Sequence, residues 1–450
     1  MMTPPPMNDL ALARLQQDTF GYFLNETNRA NGMVPDNTRP GAHASIAAIG
    51  FGLTAYVIGV ERGFVTRGEA TERTLTTLRF FWNSAQGEEP DATGYRGFYY
   101  HFLHMDTGRR AWECELSTID SAFLLAGMLS AAEYFDRATR EEREIRTLAE
   151  ALYRRADWAW AQNGGDTVTH GWRPETGFIQ HRWEGYSEAL ILYVLGLASP
   201  TYPLSADSYP AWTRTYRWTT LYGQAFLYAG PLFIHQLSHL WIDFRGIQDE
   251  VMRARGIDYF ENSRRATYVQ QQYAIHNPLG YRGYNEHCWG ITASDGPGPA
   301  SRTVDGIERY FEDYTARGVP DGPDDGTIAP WAAVASLPFA PEIVLPALQH
   351  FNDAYPEMTS VYGFKCSFNP TFTGGASLGK GWISKGYYGL DQGPIVMMID
   401  NYRTGFLWRL MGRCRWIREG LHRAGFAGGW LAKATESGSR PATSSTSSSP

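Results

Sequence analysis

Cysteine is scarce: Cys114, Cys288, Cys366 and Cys414 lie far apart and form no CxxC pair. That spacing argues against a zinc cluster and reads as reduced, buried thiols. An excess of positive charge is missing too. The formal net charge is −7, and no Lys/Arg cluster carries interleaved aromatics. This argues against a nucleic-acid partner, because phosphate contacts need a basic surface. No GxSxG elbow, P-loop or dinucleotide fingerprint occurs, so serine-nucleophile hydrolysis and nucleotide binding drop out. The start, Met1 to Pro6, lacks the basic residues and apolar run of a secretory signal. Residues 41–60 are uncharged but interrupted by His43, Ser45, Thr54 and interior glycines, and read as a buried core helix rather than a membrane span. The expectation is a soluble, cytoplasmic chain with no membrane partner.

What is present is helical periodicity. It covers roughly 8–27, 43–62, 67–84, 115–137, 140–161, 187–199, 229–243, 257–277, 341–354 and 393–411, more weakly 208–219 and 414–423. Strand-like alternation is confined to pieces such as 167–181 and 359–369. The segments differ in kind. Residues 140–161 carry charge on one face, as an outer helix does, whereas 115–137 are apolar nearly all round. The same contrast separates 43–62 from 67–84. Alternating enclosed and amphipathic helices predict an all-α (α/α)6 barrel, a toroid of about twelve helices with short β-hairpins and loops at the pocket rim. One domain would span 1–434, with 316–327 as a turn-rich rim loop. The Ser/Thr-rich tail 435–450 has no apolar face and is expected to be disordered.

Acids recur near the starts of enclosed segments: Glu115 and Asp120, then Glu188, then Asp391 beside Gln392. Glu188 precedes the apolar run Ala189 to Ala198. Lost hydration there would raise its pKa and suit a general acid; the plain alternative is a first-turn Glu complementing the helix dipole. Asp120 falls inside an apolar pattern and needs a partner or a purpose. An ion pair with Arg96, Arg109 or Arg110 would serve as well as a substrate. Asp391 before Pro394 is equally a candidate N-cap. Glu286, Trp289 and Asp295 lie in a Gly-rich aromatic stretch that suits a binding loop, though turn chemistry alone would account for Asp295. His235, His239 and Asp243 share one face if 229–243 is helical, but the glutamate of HExxH is absent. Hydrogen bonding in a pocket wall is the expectation, with no metal and no cofactor. Aromatic residues make up 14% of the chain, including 15 Trp and 26 Tyr, most of them core volume and some able to stack on sugar faces.

At these residues the sequence resembles the glycoamylase-like family, specifically glycoside hydrolase family 144 and its relatives. The resemblance spans about residues 8–425. It rests on ELSTIDSAFLLAGML (115–129), GYSEALILYVLGLASPTYP (185–203), HQLSHLWIDFR (235–245), YNEHCWGITASDGP (284–297) and GYYGLDQGPIVMMIDNYRTGFLW (386–408). It implies an (α/α)6 barrel and inverting, metal-free hydrolysis of β-1,2-glucan to sophorose or short sophorooligosaccharides. The family's pocket acids match Glu115 and Asp120, and its candidate acid matches Glu188. Relatives are often exported, which this start does not suggest. The expected mechanism takes Glu188 as general acid and Glu115 as first choice to activate water, with Asp120 and Asp391 as rivals. Inversion needs the carboxyls about 6.5–9.5 Å apart. Tyr186, His239, Glu286, Trp289, Asp295, Trp382 and Gln392 would contact the β-glucan oligosaccharide or polysaccharide. A phosphorylase or transglycosylase on the same scaffold would need a phosphate or acceptor site, and no Arg/Lys/His cluster for phosphate is evident. A non-catalytic β-glucan-binding protein would be free to lose the acids, all of which are present.

Overall fold

Two helices, Ile46–Arg62 and Thr118–Tyr134, form the centre of the molecule and bury nearly every residue they contain. Each is launched from a two-residue strand and capped by serine. Ser45 Oγ accepts from Ala48 N, and Ser117 Oγ accepts from Asp120 N, satisfying donors that a helix start leaves free. They touch backbone to backbone. A Cβ on Gly50 would lie 2.4 Å from the Phe123 carbonyl oxygen, and one on Gly127 would lie 2.1 Å from the Gly50 carbonyl oxygen. By contrast, Arg140–Arg155 buries only Glu142, Ile145, Ala149, Leu152 and Tyr153, the single stripe of an outer helix.

This computed structural model describes residues 7–373 and 381–432; the 435–450 tail lies outside the described residues. Helix is the predominant regular structure, with sixteen α-helices and a set of short strands among those residues. Enclosed segments follow one another in space. Gly389–Arg403 packs on Ile46–Arg62, which packs on Thr118–Tyr134, which packs on Leu190–Ala198. Ser238 then bonds Glu188 O and Ile191 N, Gln236 Nε2 donates to Ala332 O, and Pro330–Ala335 packs back on Gly389–Arg403. Asp9–Asn25, Arg140–Arg155 and Arg415–Arg423 lie against this inner set. Among the described residues no helix is long and apolar enough to cross a membrane.

Several elements depart from the periodicity. The 229–243 segment is not one helix but two 3-10 turns, Leu232–His235 and Leu237–Leu240. Gln236 breaks it, its amide tied to Ala332 O and Ser336 Oγ. The 393–411 pattern begins earlier, at Gly389, and divides at Gly405, whose φ of 62° ends the run. Residues 208–219 are a short helix followed by the strand Trp218–Leu221. A five-stranded antiparallel sheet joins 94–95, 98–100, 116–117, 171–173 and 177–178. Two- and three-residue strands are too short to show alternation, so only its last two had a sequence signal.

Candidate active site

A cavity of about 600 Å³ opens at the starts of the inner helices, and Glu115, Asp120 and Glu188 all line it. The first two arrive there because the chain is extended before the helix. Glu115 lies ahead of the strand Leu116–Ser117, and Asp120 lies in the first turn after it. A continuous helix through 115–120 would have placed them on different faces. Here both reach the ring of His101, whose Nδ1 lies 2.9 Å from Glu115 Oε1 and whose Nε2 lies 3.7 Å from Asp120 Oδ2. The imidazole is stacked on Phe102, centroids 4.0 Å apart. Ser117 Oγ donates to Asp120 Oδ2, and Arg173 Nη2 stands 3.4 Å from Glu115 Oε2. The arginines considered as partners for Asp120 are engaged elsewhere: Arg96 with Asp157, Arg109 with Asp91, Arg110 with Glu175.

The electrostatics divide the cavity into two walls. Burial disfavours charge on His101, but Asp120 and Glu115 overcome it and push the pKa up to about 9. Glu115 is opposed by burial yet ends below its ordinary value, because His101 holds its carboxylate and Arg173 adds positive charge. Glu188 has no such counter-ion. Burial raises it to about 7, eased by a backbone hydrogen bond and reinforced by the charge of Asp120. Asp36, also on the lining, is raised chiefly by burial.

The remaining predicted contacts divide. Trp382 lies on an adjoining depression of about 530 Å³ that shares Arg39 and Asp313 with the main cavity. Tyr186 packs against Tyr259, Tyr216 and His235, and is not on the lining. Asp391 is fully buried at the third position of its helix, and Tyr388 takes the cap position instead. Neither Asp391 oxygen finds a hydrogen-bond partner at ordinary geometry, though the weak donor Cys366 lies against it. Gln392 donates to Phe364 O, out of reach of the cavity. Asp295 is sealed as well, where Arg39 and Ser384 bond its Oδ2, so it supports the cavity through Arg39 rather than lining it. Trp289 is a core residue and Glu286 is exposed beside His287.

His239 is also core: it meets Ser263 Oγ and packs between Phe244 and Phe339. Burial depresses His235 to about 4 and His239 to about 3, and Asp243 pairs with Arg245. No group of three or more His, Cys, Asp or Glu side chains among the described residues is arranged to hold a metal ion. All four cysteines are free and buried.

Sequence reasoning missed His101, Asp36, Arg39 and Tyr314 on the lining. Only His101 carried a usable signal, as a titratable residue inside the aromatic run Phe98 to Phe102.

Comparison with known proteins matches this arrangement of elements. The family model described as "Putative glucoamylase" matches residues 180–415. The exo β-1,2-glucooligosaccharide sophorohydrolase (non-reducing end) of Parabacteroides distasonis is 29% identical over 457 residues, covering 94% of this chain and 58% of its own length. The chain thus spans under two thirds of that relative. A solved structure from Bacteroides uniformis, of the same family description, is 33% identical with a TM-score of 0.83, covering 95% of this chain and 100% of its own. The endo-β-1,2-glucanase of Chitinophaga pinensis, solved with sophorotriose and glucose, is 26% identical with a TM-score of 0.82, covering 94% and 100%. With more than half its length matched by the family model, and one acid cavity at the mouth of its enclosed helices, this chain belongs to that glucoamylase family.

Proposed function

We propose that this chain is a glycoside hydrolase that cleaves β-1,2-linked glucose chains, with inversion, to sophorose or short sophorooligosaccharides. The observation that carries the proposal is a half-buried Glu188 with no counter-ion, facing the same cavity as a charge-paired Glu115–His101–Asp120 group. The activities for which the Parabacteroides distasonis and Chitinophaga pinensis relatives are named supply the substrate class. We further read the enclosed segments as the inner ring of an (α/α)6 barrel forming a single domain, a reading supported by the closed order of their contacts.

Glu188 acts as general acid, because a carboxyl with a pKa of about 7 keeps its proton in much of the neutral population. Asp120 is the better base. Its Oδ2 is engaged by Ser117 and His101, which leaves Oδ1 to accept the proton of an attacking water. Glu115 has one oxygen on His101 and the other near Arg173, so it serves as the anion that holds His101 in place. In the reaction, water adds to the anomeric carbon, Asp120 takes its proton, and the glycosidic oxygen leaves with the proton of Glu188. His101 is a positioning residue that stands between the two carboxylates and holds that of Glu115 ionised. Trp183, with its indole N–H on Thr118 Oγ1, and Tyr388 wall the space that sugar rings would fill.

The deciding experiment is reducing-sugar release from β-1,2-glucan by the wild type and by Glu188→Gln, with the product anomer followed by NMR. Release of the α-anomer by the wild type, and its loss in the variant, is the expected result. Full activity of the variant, or initial release of the β-anomer, would sink the mechanism.

A further inference from the structure

Trp112 is 65% exposed, and its backbone adopts φ +52°. Both facts work against folding. A bulky residue in the left-handed region costs free energy that Gly or Asn would avoid, and an indole left in water contributes little burial in return. The turn that carries it is nevertheless held firmly. Arg110 is buried, its guanidinium on Glu175 and on the carbonyls of Cys114 and Pro90, with Tyr100 beneath it. Ala111 N donates to Phe102 O, and the Cys114 thiol exchanges contacts with Phe102 N and O. Strain at an exposed aromatic, imposed by so many fixed contacts, calls for a use.

The position gives that use. Trp112 stands three residues before Glu115, and its ring meets Phe102 at 5.2 Å and 69°, Phe102 itself lining the cavity and stacking on His101. Its other aromatic neighbour is His43, at 4.4 Å and 78°. Both meet it at steep angles, and neither lies flat along the indole.

We infer that Trp112 is an outer sugar platform: the apolar face of a glucosyl unit beyond those in the cavity stacks on its indole. The inference rests on the proposed β-1,2-glucan hydrolase reading and adds to it a preference for chains long enough to reach the rim.

The test compares wild type, Trp112→Ala, Trp112→Phe and Trp112→Gly on the β-1,2-linked trisaccharide and on octasaccharide or longer chains. Trp112→Ala is expected to lose about tenfold in kcat/KM on long chains and little on the trisaccharide, in line with typical stacking strength. Trp112→Phe should retain most of the long-chain rate. Trp112→Gly separates function from structure: relief of the positive φ should hold or raise its Tm while its long-chain rate falls as in Trp112→Ala. Equal losses on every length, a drop in Tm for Trp112→Gly with activity lost throughout, or no loss at all would each overturn the platform. If the wild type cleaves no β-1,2-glucan, the hydrolase reading itself fails. The platform is then judged by quenching of Trp112 fluorescence across a panel of other glucans, wild type against Trp112→Phe, and no difference between the two removes it.

Discussion

Glu188 and Asp391 stand near the starts of two enclosed helices, and burial lifts both carboxyls above their ordinary range. They differ in access. Glu188 lines the cavity, next to the field of Asp120. Asp391 is closed in against Cys366, with Asp36 and Asp295 adding repulsion to its desolvation. A high proton affinity therefore marks burial in both, and only contact with the cavity turns it into chemistry.

Replacement of the two acids should expose that difference most clearly. Glu188→Gln is expected to fold and to lose about 10³-fold in kcat, the usual scale for a removed general acid. In the wild type the acid must hold its proton, so kcat should fall as pH rises through about 7; a flat profile from pH 6 to 9 would contradict this. Next in size, His101→Gln should cost about 10²-fold, as for a lost preorganised donor. It should also move the acid limb of kcat/KM to higher pH, because Glu115 loses the cationic neighbour that lowers its pKa. A uniform drop with no shift of that limb would mean that His101 merely fills space.

Stability gives a third handle. The folded pKa of Glu188 lies above its unfolded value, so the native state binds the extra proton between roughly pH 4 and 7. Wild-type stability should then decline as pH rises through that window, while Glu188→Gln is spared the decline. The variant should be favoured at pH 8 relative to pH 5 by about 2 kcal/mol, discounted for partial solvent contact, as read by urea unfolding. The smallest effect is expected at the sealed site. Asp391→Asn should keep kcat within about twofold, since burial without cavity contact gives it no step to support, yet share the gain in relative stability with rising pH. A large loss of turnover there would mean that the cavity reaches deeper than its lining.

Much of the helical plan was legible because long enclosed and amphipathic segments, such as Thr118–Tyr134 and Arg140–Arg155, carry strong and opposite periodic signals. The acids were legible for a related reason, since Asp120 falls inside an apolar pattern and Glu188 directly precedes an apolar run. What the sequence concealed depends on short extended pieces. The strand Leu116–Ser117 swings Glu115 round to His101, and two residues carry no period. Polar side chains were also ambiguous between cavity and core. Asp295, His239 and Gln392 satisfy buried partners, and nothing local in the chain distinguishes a carboxylate that meets Arg39 from one that meets a sugar.

The seam at Gly50 and Gly127 has a consequence for how such a pocket can change. Asp120 begins a rod pressed against its neighbour with no atoms to spare, so one added methyl would wedge the walls apart and drag that carboxylate off its mark. New specificities are thus easier to graft onto the loops above than onto the floor, where the geometry is frozen by two missing side chains.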